Sequence, residues 1–76
     1  MRLLKNYKKG DLVSYMYDGQ KKEGKLKYIF HPTQYEIELG FFRNVSHNDL
    51  LYLIETNERD EEGILIDNIV RECNVF

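Results

Sequence analysis

The sequence predicts a mainly β domain, a five-stranded small barrel followed by a short C-terminal helix. Three observations carry that prediction. Short runs alternate apolar with polar residues, the period-two signature of half-buried strands. Glycines at 10, 19, 24 and 40 and the single Pro32 cut the chain into segments too short for long helices. With 76 residues the chain holds one domain, which buries only about 60% of the surface its unfolded form exposes.

The elements follow in order. Residues 1–7 form a lead-in. "DLVSYMY" (11–17) is rich in β-branched and aromatic residues and ends at Asp18-Gly19, a pair that supplies the positive φ of a tight hairpin turn. Val13 is expected to point inward; Tyr15 and Tyr17 share its face, with Tyr17 lifted toward the rim by a bend near the turn. In "GKLKYIF" (24–30), Leu26, Tyr28 and Phe30 share one face and Lys25 and Lys27 the other. "HPTQ" reads as a turn. "YEIEL" (35–39) alternates as a third strand, Tyr35, Ile37 and Leu39 against Glu36 and Glu38. "FFRNVS", centred on Val45, is a fourth strand. "SHNDL" is a capped turn with Ser46 or Asn48 as the capping group, and "LYLI" (51–54) is a fifth strand.

Beyond residue 54 the texture changes. "ETNERDEEG" is polar and acidic, and "ILIDNIVREC" fits two forms. As a helix it aligns Leu65, Ile66, Ile69, Val70 and Cys73, with acids before it and Arg71 near its end, as the helix dipole favours. As an extra strand, Ile64 and Ile66 face one way and Leu65 and Ile69 the other. The helix is the favoured form, although Gly63 in its first turns opposes it. The predicted organisation is therefore a barrel over 8–54 and an acidic connection with a helix or extra strand over 55–76.

Composition bounds the function. Cys73 is the sole cysteine, so no disulfide framework exists within the chain, and a reducing, cytoplasmic setting is expected. The start carries charge without an apolar core or cleavage site, unlike a secretion signal, and no apolar run approaches the roughly 20 residues that span a bilayer. Charge is uneven: eight basic residues face three acidic ones through Lys27, and three face ten from Tyr28 onward. That split implies either two differently charged surfaces or two halves that attract each other in the fold.

The run "KKGDLVSYMYDGQKKEGKLKYIF…YEIELGFFRNVSHNDLLYL" resembles the Tudor-like branch of the SH3-like barrels over residues 8–54. The matching pieces are "GDLV", the "DG" turn, Gly24, Leu26 and Ile29, "YEIEL", and "RNVSHNDL" leading to a closing strand. Tudor barrels hold methylated lysine or arginine in an aromatic cage by cation–π attraction. On this sequence the cage positions fall on Tyr17, on Lys22 just before Gly24, and near Leu39 and Phe41 or Phe42. A lysine at the second position repels a cationic ligand, so the resemblance carries the fold and not the methyl-reader function.

Two surfaces remain as candidates. Tyr15, Tyr17, Phe41 and Phe42 form an exposed aromatic patch suited to a protein partner, unless both tyrosines simply cover the core. Glu58, Asp60, Glu61 and Glu62, with Glu55, could mimic phosphates against a basic partner or form a solvated loop. Lys21, Lys22, Lys25 and Lys27 straddle the first hairpin beside Tyr28. Basic residues among aromatics suit single-stranded or duplex nucleic acid, while a lysine-rich hairpin also blunts a sheet edge. His31 and His47 lie in separate turns, the carboxylates lack Ca²⁺-loop spacing, and no phosphate-cradling loop or nucleophile elbow is present. The expectation is a non-catalytic protein-interaction module without metal, cofactor, small-molecule substrate or membrane contact. It has the character of a phage or mobile-element accessory protein that binds and inhibits a host protein. Self-association through "ILIDNIV" is a further expectation, and nucleic-acid binding is the alternative function.

Overall fold

The computed structural model describes residues 7–42 and 45–76. Four antiparallel strands, β1 (Leu12–Tyr17), β2 (Gln20–Phe30), β3 (Leu51–Arg59) and β4 (Leu65–Arg71), form an open sheet in the order β1-β2-β3-β4. A short helix α1 (Gln34–Glu38) lies between β2 and β3, and a 3-10 turn (Glu72–Asn74) follows β4. Beyond that turn the chain returns to the first strand: Val75 bridges Tyr15, and the Phe76 amide donates to the Ser14 carbonyl at 2.9 Å. Among the described residues this bridge is the one backbone pairing that joins the two edges of the sheet.

The first hairpin forms as its sequence requires. Asp18 and Gly19 take φ of 54° and 78°, the two positive angles of a type I′ turn. Opposite it, β2 is long and bends, pairing with β1 through Lys25 and with β3 from Lys25 onward. The bend is a bulge between Leu26 and Tyr28. It inserts Lys27 and breaks the alternation expected from Leu26 to Phe30, so Leu26 is buried while Tyr28 is 54% exposed. Val13, Tyr15, Leu26, Tyr52, Ile54, Val70 and Val75 make the core. Two phenols enter it with partners: Tyr15 donates to Asn68 Oδ1 at 2.9 Å and Tyr52 to Glu72 Oε2 at 3.2 Å.

The structure departs from several expectations. "YEIEL" is not a strand: Gln34–Glu38 is helical. Thr33 and Glu36 form a capping box, the Thr33 hydroxyl accepting from the Glu36 amide and the Glu36 carboxylate accepting from the Thr33 amide. The expected strand "FFRNVS" is absent at Phe41, Phe42, Val45 and Ser46, with Arg43 and Asn44 outside the described residues; the lead-in at 1–6 lies outside them too. Four strands replace the predicted five. The predicted C-terminal helix is β4 instead, the extra-strand form of the same segment, and Cys73 sits exposed in the 3-10 turn rather than on an apolar helical stripe. β3 also continues through the expected acidic connection to Arg59. It does so over an irregularity between Glu55 and Arg59, where the Thr56 hydroxyl donates to the Ile66 carbonyl at 2.8 Å.

Candidate functional site

The most site-like feature is an aromatic groove of about 450 Å³ beside β4. Most of its lining comes from three segments: Met16, Tyr17 and Asp18 at the end of the first hairpin; Phe41, Phe42 and Val45; and Asp67, Ile69, Val70 and Arg71 of β4. Local structure places the first two. Tyr17 continues the face of buried Val13 and Tyr15, and its place at the end of β1 beside the turn leaves it at the rim, 38% exposed. The Phe41 segment is set by the end of α1. Gly40 takes φ of 81°, its amide donates to Ile37 and the Phe41 amide to Glu36, at 3.0 and 3.1 Å. These are the paired bonds of a Schellman ending, and they fix the backbone that presents Phe41, which is 64% exposed. Phe42 packs back on Phe30 with ring centroids 6.2 Å apart.

The groove follows a sheet edge. β4 pairs with β3 on one side, and no described strand pairs with its other side. Antiparallel ladders alternate residues that bond one neighbour with residues that face away. The Glu72 amide donates to the Leu50 carbonyl at 2.9 Å, continuing the register in which Arg71 faces Leu51 and Ile69 faces Leu53. Asn68 and Val70 therefore bond β3, and Asp67, Ile69 and Arg71 direct their backbone groups toward the groove.

The predicted aromatic patch is brought together in part. Tyr17, Phe41 and Phe42 share the groove, whereas Tyr15 is wholly buried and belongs to the core. Burial raises the Tyr15 phenol above its ordinary value of 10.0, with Glu58 and Tyr17 adding electrostatically in the same direction. The Tudor cage positions do not assemble around a free cation site. Lys22 Nζ lies 5.6 Å from the Tyr17 ring centroid, so the protein's own ammonium occupies one face of that ring.

The acidic candidates stand apart from the groove. Glu58 pairs with Lys22 at 3.2 Å. Asp60 is a turn-former whose carboxylate accepts from the amides of Glu62 and Ile64 at 2.9 and 3.0 Å, leaving Glu61 and Glu62 exposed on the turn. Among the nucleic-acid candidates, Lys27 pairs with Asp67 at 3.3 Å, Lys25 lies opposite Glu55 in the sheet, and Lys21 stacks over Phe76 at 5.5 Å. Tyr28 is exposed, but Lys9 lies over its ring at 5.0 Å. The basic front half thus meets the acidic back half within the fold.

His31 and Cys73 line a second hollow, a pairing that no sequence spacing signalled. His31 Nδ1 is engaged with the Asp49 carbonyl at 2.9 Å, and no hydrogen bond joins it to Cys73. Among the described residues no group of three or more His, Cys, Asp or Glu is arranged to hold a metal, and no helix is long and apolar enough to cross a membrane. Comparison with protein families, curated proteins and solved structures finds no match to this chain.

Proposed function

We propose that this chain is a non-catalytic protein-interaction module that accepts an extended segment of a protein partner along β4. The observation that carries the reading is that the groove combines a strand edge with an aromatic lining. Main-chain groups of Asp67 and Ile69 face into it, and Tyr17 and Phe41 offer contact area beside them. Strand addition of this kind draws affinity from backbone pairing and specificity from the pockets that take alternate side chains. An accessory protein that inhibits a host protein would act by holding such a segment. The fold that supports the groove is an SH3-like, Tudor-like barrel in this proposal. That reading rests on the meander of four strands, the 3-10 turn and the return of Val75 to β1. Nucleic-acid binding ranks second, because Lys22 and Lys27 already hold carboxylates and Lys25 faces one.

The test compares Tyr17→Asp and Phe41→Asp with Tyr35→Asp, which alters an exposed aromatic outside the groove. In pull-downs from the native host, the same partner is expected with the wild type and Tyr35→Asp and is lost with both groove variants. A partner retained by all three would overturn the groove. Salt-sensitive oligonucleotide binding that disappears when Lys21, Lys22, Lys25 and Lys27 become glutamate would favour the second reading.

A further inference from the structure

We infer that the β4 edge is self-complementary and that a second copy of this chain fills it, forming a twofold dimer by antiparallel β4–β4 pairing. This deepens the groove reading above, from which it takes the accessible edge, and names the partner.

The order of residues on β4 is what makes the edge self-complementary. Asp67, Ile69 and Arg71 occupy one face of the strand and line the groove, with Ile69 39% exposed. The same residues direct their amides and carbonyls to the open edge, by the register that Glu72 and Leu50 continue. A twofold axis through the Ile69 pair then does three things at once. It lets the two Ile69 residues exchange backbone hydrogen bonds. It sets their side chains against each other. It places each Asp67 opposite the other copy's Arg71. Charges of a single sign on an edge strand repel a second strand. Here the sign changes on either side of an apolar centre, so the twofold operation joins opposite charges. An isologous interface requires that kind of pattern, because each residue i meets j while j meets i. Asp67 keeps Lys27 at 3.3 Å on its own sheet, which leaves the paired charges within one connected row.

Sedimentation velocity across a concentration series reads the association. The wild type is expected to pass from monomer to dimer as concentration rises. Asp67→Arg and Arg71→Asp each put like charges across both symmetry-related positions and should weaken the dimer by about tenfold. Asp67→Arg combined with Arg71→Asp should restore it. Ile69→Pro, which removes the outward amide without touching the β3 ladder, should abolish it. A wild type that stays monomeric at every concentration overturns the inference. So does a dimer that ignores the charge reversals, or one that the double variant fails to rescue. None of these outcomes depends on Tyr17 or Phe41. A monomer that still loses a foreign partner through Phe41→Asp would therefore sink the dimer while leaving the groove reading intact.

Discussion

Gly24→Ala is expected to destabilise the protein by about 3 kcal/mol, the upper end of what one extra carbon costs in a packed interior. A Cβ on Gly24 would lie 2.5 Å from Ile54 Cγ2 and 2.6 Å from the Glu55 carbonyl oxygen. The first contact is with a fully buried side chain and the second with backbone of the neighbouring strand. Neither can move without disturbing the β2–β3 pairing that begins at Lys25 and Glu55. Gly24 is thus required for close approach of two strands, whereas Gly19 is required for its positive φ and meets nothing within 4 Å. Domains of this size hold a margin on the order of 5 kcal/mol, so the Gly24 variant should stay folded at ambient temperature on a remainder of only about 2 kcal/mol and unfold at a much lower urea concentration. Urea denaturation followed by circular dichroism checks this, and an unchanged midpoint would refute the tight packing at that crossing.

Tyr15→Phe is expected to cost about 1–3 kcal/mol at neutral pH, because it leaves the buried Asn68 carbonyl oxygen without its donor. Changing Asn68→Leu in the same chain should recover much of that loss, since both polar partners are then gone together. The pH dependence has a definite sign. The folded state holds the Tyr15 proton above the ordinary value of 10.0, so the unfolded chain loses its proton first as pH rises. The stabilisation from this group is complete below 10.0 and is lost as pH climbs through the raised folded value. Wild-type stability should therefore fall across that alkaline range, and Tyr15→Phe should show a shallower fall. Parallel slopes for the two proteins would contradict the buried phenol.

Local chemistry made the first hairpin legible. Val13 and Tyr15 alternate inward, Asp18-Gly19 turns the chain, and Tyr17, of the same parity, is left at the rim by its place beside the turn. Two segments misled for separate reasons. "YEIEL" alternates perfectly, but Thr33 and Glu36 spell a capping box at its start and Gly40 ends it; over five residues, end signals outweigh periodicity. "ILIDNIVREC" satisfies both periods. Its β-branched residues and the turn built by Asp60 favour the strand, and Asn68 finds Tyr15 only in that form. The bulge at Lys27 left no local signature, because it arises from bending β2 between two partners. As for the site, Tyr17, Phe41 and Phe42 were readable as a group. The β4 edge that gives their groove a direction was not, since an edge depends on which strands lie elsewhere in the sheet.

Amide hydrogen exchange along β4, resolved by residue in a dilute sample, tests the open edge most directly. The amides of Asn68 and Val70 should exchange slowly because they bond β3, while those of Asp67 and Ile69 should exchange fast because they face the groove. Raising the concentration, or adding a partner that pairs with the strand, should slow the second set selectively. Uniform protection from Ile66 to Arg71 in the dilute monomer would mean that the edge is already covered, and the account of this groove as a strand acceptor would fail.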